Sequence, residues 1–216
     1  MKGLYFHIPF CLSKCGYCSF YSFRPRVNQM DSYLSALLSH IDEWEKKEHL
    51  SFDSIYFGGG TPSVFGGERI LAVLEKARKA FEISPDCEIT VEVNPSSASE
   101  ELFSCLKSAG VNRISMGVQS AAEKERQAIG RRSNTLQVLF ALEKCKKHGF
   151  ENVSLDLMLG LPYQTEESLQ KSLDFILKSG CKHVSTYLLK LENGTPLFEK
   201  QNTLPFPDED TVCDFY

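Results

Sequence analysis

No stretch of this chain is long and apolar enough to cross a bilayer as a helix. Such a helix needs roughly 20 apolar residues, and the most apolar run, 153–162, carries Asp156 together with Gly160 and Pro162. The N-terminus does not read as a secretory leader either, because Lys2 and a short apolar stretch are followed too soon by Pro9 and Cys11. An excess of positive charge is also missing. With 24 basic and 28 acidic side chains the formal net charge is −4, which removes the bulk electrostatic case for nucleic acid or an anionic membrane and leaves room only for a local basic patch. Compositional bias is absent too: 42% apolar and 24% charged residues over 216 positions are ordinary globular values. Disordered, collagen-like and disulfide-scaffold readings are excluded. The expectation is one soluble, cytosolic domain over 1–216, with no nucleic-acid partner and no membrane span.

What the chain does have is cysteine, eight in all. In a reducing compartment these must be metal ligands, catalysts or packing. Cys87, Cys105, Cys145, Cys181 and Cys213 are scattered singly, and a buried free cysteine behaves as a small hydrophobe. Cys11, Cys15 and Cys18 fall within eight residues and form the informative cluster.

Apolar, β-rich runs alternate with helical patterns along the chain. Strands are expected at 4–8, 54–57, 88–93, 113–116, 152–157 and 183–188, and helices near 30–47, 68–81, 99–109, 135–148 and 166–179. The second helix shows its period plainly: Ile70, Leu71, Val73, Leu74, Ala77, Ala80 and Phe81 share one face, while Glu75, Lys76, Arg78 and Lys79 share the other. Gly110, Gly149 and Gly180 each stand where a helix should stop and turn into the next strand. Six such units imply an α/β fold with a parallel sheet. A full eight-stranded barrel takes about 250 residues, so an open, partial barrel and a flat doubly wound sheet both remain open. Either way, functional residues should gather at the C-terminal ends of the strands. A further helical pattern begins at Asp208 and reaches Tyr216, as if the fold continued beyond it.

The strongest chemical signal is Cys11-x3-Cys15-x2-Cys18, in a loop directly after the first strand. Three thiolates this close can converge on one inorganic centre, which stabilises their charged form. Zinc would want a fourth ligand, for which His7 is the nearby candidate. A four-iron cluster usually takes four cysteines, so one held by three would keep an iron open to an outside ligand. The second signal is Gly58-Gly59-Gly60-Thr61-Pro62 at the end of the second strand, where missing Cβ atoms let backbone approach a ligand. It lacks the lysine of a phosphate-binding loop and the spacing of a dinucleotide fingerprint. Polar residues then recur at later strand ends: Glu92 and Asn94, Gln119, and Asp156 inside an apolar run, where burial without a partner would be costly. Arg131 follows in the loop after Gln119. The five histidines (His7, His40, His49, His148, His183) show no metal spacing among themselves.

The segments Tyr5-Phe6-His7-Ile8-Pro9-Phe10-Cys11 and Cys15-Gly16-Tyr17-Cys18, with 58–63, 112–120 and 156–162, resemble radical S-adenosylmethionine (SAM) proteins. The branch they resemble is that of the oxygen-independent coproporphyrinogen III oxidases and their HemW-type haem-chaperone relatives, over a span from Leu4 to about Pro196. The resemblance implies an open six-stranded parallel (β/α)6 partial TIM barrel. It implies that Cys11, Cys15 and Cys18 bind a [4Fe–4S] cluster whose open iron is chelated by SAM. Tyr5, Gly59 and Glu92 match positions contacting that SAM, whereas Tyr17, Gly60, Thr61, Gln119, Arg131 and Asp156 match positions given to a second SAM in the oxidase branch. One electron, from a donor protein, would cleave SAM to methionine and a 5′-deoxyadenosyl radical, the cofactor supplying the difficult step.

Two departures from the oxidases point to the chaperone branch. Where oxidases carry a further cysteine two residues after the last ligand, this chain has Phe20; and Cys11 comes almost at once, without a longer N-terminal extension. The resemblance therefore implies a haem chaperone that binds haem and passes it to an acceptor protein, with oxidative decarboxylation of coproporphyrinogen III as the alternative. It also implies that a C-terminal domain common in the family lies outside this chain.

Overall fold

The computed structural model describes residues 2–216. Its centre is one sheet of six parallel strands in the spatial order of the sequence: β1 (Gly3–Ile8), β2 (Ser51–Gly59), β3 (Glu82–Val93), β4 (Arg113–Gln119), β5 (Asn152–Leu159) and β6 (His183–Leu188). A doubly wound sheet reverses its strand order at a switch point; this one never reverses, and β1 and β6 remain its two edges. The open partial-barrel reading holds and the flat doubly wound one is set aside.

Between the strands run α1 (Gln29–Glu45), α2 (Pro62–Phe65), α3 (Gly67–Ala80), α4 (Glu100–Ser108), α5 (Glu123–Ala128), α6 (Thr135–Lys147) and α7 (Glu166–Ser179), and α8 (Glu209–Phe215) follows β6. The buried face of α3 is Ile70, Val73, Leu74 and Ala77, the stripe expected from the sequence. It belongs to one core with Ile8, Ile55, Phe57, Val91, Ile114, Met116 and Leu155 from the strands. Each such fully buried aliphatic side chain contributes roughly 1.5–3 kcal/mol relative to exposure.

The helix ends obey local chemistry. Ser99 caps α4, while Asn134 with Gln137 and Thr165 with Ser168 form reciprocal capping boxes at α6 and α7. After α4 and α6 the chain turns through Gly110 and Gly149, at φ 80° and 72°. The amides of Val111 and Phe150 there reach back to Leu106 and Cys145 at 3.0 and 2.8 Å. This left-handed stop favours glycine.

Two features depart from the expected elements. Strand β3 starts six residues early: Glu82 and Ile83 pair with Ser51 and Phe52 before a register shift, and Glu88 resumes opposite Ser54. Pro85 and Asp86 lie in that shift, which is why the sequence reads as a break there. The short helices α2 and α5 went unanticipated, being only 4 and 6 residues long.

Candidate functional site

Alternate residues of a strand point to opposite faces, and here one face is the core while the other carries the chemistry. Asp156 is flanked by buried Leu155 and Leu157 yet is itself only half-buried. Its place in an apolar run therefore does not put it in the core. Tyr56, Glu92, Ser115 and Tyr187 stand on the same inner face and border the same cavity of about 740 Å³.

The cysteine loop is tied down at its base and its middle. Cys11 N–H donates to the Phe23 carbonyl at 3.0 Å and Phe23 N–H to Pro9 at 2.9 Å. Gly16 N–H donates to Ile129 at 2.9 Å, and Leu197 N–H donates to Gly16 at 2.8 Å. The loop is thereby held against both the end of α5 and the segment after β6. Phe10, wholly buried, anchors it by packing between Phe23, Tyr33 and Phe65.

The glycine run is knitted to that loop. Gly60 N–H donates to Ile8 and Thr61 N–H to Phe10, both at 2.8 Å. A Cβ on Gly60 would sit 2.9 Å from the carbonyl oxygens of Ile8 and Phe10, so glycine is required there by the neighbouring backbone. The glycine run was expected to make space for a ligand; at Gly60 the space belongs first to the backbone of Ile8 and Phe10, at and just beyond the end of β1. Thr61 then brings its hydroxyl 3.4 Å from the Cys11 thiol.

On the inner wall, burial pushes the Glu92 carboxyl above its ordinary range; the Tyr56 hydroxyl, donating at 2.8 Å, and the Gly59 amide oppose that shift. Burial likewise raises Asp156, against hydrogen bonds from Tyr187 and from Ser115, whose hydroxyl donates at 3.2 Å. Tyr17 is raised by burial and by neighbouring Cys15, and Cys18 is raised chiefly by burial. Gln119 ends β4 in the left-handed region at φ 69°, next to a register shift, and the Oε1 of this buried residue has no partner. Arg131 donates from Nη2 to the Gly117 carbonyl at 2.6 Å and approaches the Cys15 sulfur at 3.9 Å, while its Nε is also buried without a partner. Gln119 thus brings a left-handed backbone, and Gln119 and Arg131 each an unpaired buried polar atom, to this cavity, where a bound ligand would supply the partner.

Of the residues singled out from sequence, Cys11, Cys15, Cys18, Tyr17, Gly59, Gly60, Thr61, Glu92, Gln119, Arg131 and Asp156 all line this one cavity. Tyr5 is not among the lining residues; its ring stacks on Tyr56 at 6.0 Å and is about half exposed. Asn94 does line the cavity, but its side chain caps the 3-10 turn Pro95–Ser97. Tyr56, Arg113, Ser115 and Tyr187 were missed. Their signal was the period-two alternation that places them beside Glu92 and Asp156. Among the single cysteines, Cys87 and Cys145 are core, with burial raising the Cys145 thiol to about 12, whereas Cys213 is exposed on α8.

The donor set distinguishes the two inorganic readings. Among the described residues, no three His, Cys, Asp or Glu side chains converge as ligands of a single ion, His7 included. The His7 ring is instead engaged by the Tyr21 carbonyl, 2.9 Å from Nε2. A cluster would offer a separate iron to each thiolate, so three cysteines on one loop with His7 engaged elsewhere fit it better than they fit zinc.

Residues 5–176 match the radical SAM superfamily. The chain is 35% identical to the heme chaperone HemW of Mycobacterium tuberculosis, across 99% of this chain and 56% of that protein. It is 36% identical to the bovine radical S-adenosyl methionine domain-containing protein 1, mitochondrial, across 99% of this chain and 49% of that protein. The fold superposes on the coproporphyrinogen III oxidase HemN of Escherichia coli, a radical SAM enzyme, with a TM-score of 0.88 at 27% identity, covering 99% of this chain and 50% of HemN. The chain thus spans about half the length of the curated relatives it matches. No helix among the described residues is long and apolar enough to cross a membrane. With that family match over residues 5–176 and an open sheet of six parallel strands, the chain belongs to the radical SAM superfamily, which implies a [4Fe–4S] cluster and SAM.

Proposed function

We propose that this chain is the radical SAM core of a cytoplasmic haem chaperone of the HemW kind. The observation that carries the reading is identity of about 35% along essentially the whole chain with proteins named as heme chaperones. Cys11, Cys15 and Cys18 would hold the [4Fe–4S] cluster, leaving one iron for SAM. Bound together, these groups supply one-electron reductive cleavage of the SAM carbon–sulfur bond.

This chain's own residues do the holding. The Gly59–Thr61 backbone sets the floor beneath Cys11, and Glu92, restrained by Tyr56, offers a carboxylate to the cationic SAM ligand. Gln119, Arg131 and Asp156, with Tyr17 and Thr61, line the remaining wall and would serve a second SAM or the cargo's polar groups. Phe20, Tyr187 and Leu188 border the cavity yet are 67%, 42% and 52% exposed. An apolar rim of that kind suits a flat macrocycle such as haem, which an acceptor protein would then receive.

Haem titration monitored by its Soret band, with transfer to an apo-acceptor, tests the chaperone reading. Saturable binding of about one haem, weakened at least fivefold by Phe20→Ala, supports it. The competing reading is tested by incubating reduced, reconstituted protein with SAM and coproporphyrinogen III. Vinyl products above a Cys15→Ala control would establish the oxidase and defeat the chaperone assignment.

A further inference from the structure

Glu125, on the short helix α5, is a buried ionisable group that the site described above does not use. It is 1% exposed, and its Oε1 has no partner. A buried carboxyl group left half-satisfied costs the fold stability. Its other oxygen, Oε2, accepts from the Ser120 hydroxyl at 2.7 Å and, more loosely at 3.5 Å, from the Gln164 amide. Both donors are held in turn. Ser120, wholly buried and directly after Gln119, accepts the Ala122 N–H on its hydroxyl at 2.9 Å and Arg126 Nη1 on its carbonyl at 2.8 Å. Gln164 closes the loop after β5: its Nε2 donates to the Met158 carbonyl at 3.0 Å, and its Oε1 accepts from the Gly160 and Leu161 amides at 2.7 and 3.2 Å. Glu125 therefore joins the ends of β4 and β5, the strands that bring Gln119 and Asp156 to the cavity. At that junction Gln119 is left-handed, at φ 69°, and such a backbone persists only where its surroundings over-determine it.

We propose that Glu125 is a positioning residue for SAM: through Ser120 it holds Gln119 in its left-handed conformation and so presents the Gln119 side chain to the ligand. Glu125 itself does not line the cavity, whereas Gln119 does. The unpartnered Gln119 Oε1 is an acceptor, so the group that completes it is a donor. SAM carries such donors in its ammonium group, its ribose hydroxyls and its adenine amine, while the ionised propionates of haem carry none. The inference rests on the reading of Gln119 as part of a SAM site.

The test is a double-mutant cycle between Glu125 and Gln119, read as SAM affinity by equilibrium dialysis on reconstituted protein whose folding is checked by circular dichroism. Glu125→Ala should weaken SAM binding at least fivefold. Glu125→Gln, which keeps an acceptor oxygen for Ser120, should stay within twofold of the parent. In a Gln119→Ala background, Glu125→Ala should change the affinity less than twofold, because the side chain that it places is gone. Residues acting through one another fail to add in this way, whereas independent ones add. The same fivefold loss in both backgrounds would overturn the proposal, since Glu125 would then support the fold without acting through Gln119. Unchanged SAM affinity in Glu125→Ala would overturn it too. Should Glu125→Ala fail to fold, Ser120→Ala removes only the connecting hydroxyl and carries the same expectations in both backgrounds. A Gln119→Ala variant that binds SAM as the parent does would remove Gln119 from the SAM site and this inference with it, leaving the cluster assignment standing.

Discussion

Replacing Gly60 by Ala isolates the contact between the glycine run and the cysteine loop. Gly60 is not among the residues with positive φ, so its backbone suits alanine and the whole effect comes from space. The added methyl meets the carbonyl oxygens of Ile8 and Phe10 at 2.9 Å and the Phe10 nitrogen at 3.0 Å, all of them backbone atoms that cannot rotate away. Relief requires the segments that follow β1 and β2 to part, which loosens the 2.8 Å bonds from Gly60 to Ile8 and from Thr61 to Phe10. Two weakened hydrogen bonds at about 1 kcal/mol each, with overpacking of about 1–3 kcal/mol, give roughly 3–5 kcal/mol. For a domain of this size that corresponds to a melting point lowered by roughly 6–20 °C. Thermal circular dichroism on reduced, cluster-free protein reads it. Gly16→Ala is the control in the same loop, because its Cβ meets only the Ile129 carbonyl at 3.4 Å, an ordinary contact. A Gly60→Ala melting point no lower than that of Gly16→Ala would refute the reasoning.

Cys15→Ala should reduce reconstituted iron to background while far-ultraviolet dichroism stays unchanged, since the loop is pinned through Gly16 and not through the thiol; a full iron complement would overturn the ligand assignment. Glu92 and Asp156 titrate above the ordinary carboxylate range because they are buried. The folded state therefore holds their protons more tightly than the unfolded state, and this stabilisation is present at low pH and lost as pH rises through their folded values. Glu92→Gln should accordingly flatten the fall in stability of the cluster-free protein between the ordinary carboxylate range and neutrality, as measured by urea titration; a steeper fall would contradict the sign. Tyr56→Phe removes the donor that opposes the Glu92 shift, so the fall should extend to higher pH and grow larger. Phe103, wholly buried in the core, should cost about 3–5 kcal/mol when truncated to Ala, and a loss under 1 kcal/mol by urea unfolding would place it outside the core.

The six strands and five principal helices were legible because each has a long, consistent period and clear ends, as the stripe on α3 and the glycines after α4 and α6 illustrate. Helix α5 was not, because it is short and its buried residues include Glu125 and Arg126, whose burial depends on Ser120 and Gln164 brought from elsewhere. The early part of β3 was hidden by Pro85 and Asp86 in its register shift. At the site, residue types with strong chemistry announced themselves: three clustered cysteines, a glycine run, carboxylates at strand ends. Tyr56 and Tyr187 did not, since a tyrosine in a strand is ordinary and its role appears only when parallel pairing places it beside Glu92 or Asp156. The space around Gly60 was legible as a need for glycine, but its occupant, the backbone of Ile8 and Phe10, was not.

The central claim is that three cysteines hold a four-iron cluster with one iron left for SAM. Electron paramagnetic resonance of anaerobically reconstituted, reduced protein, with and without SAM, tests it most directly alongside metal analysis. The account predicts about four irons per chain and a spectrum whose g values shift on adding SAM, with both lost in Cys15→Ala. Stoichiometric zinc with no iron, or an iron spectrum indifferent to SAM, would contradict it.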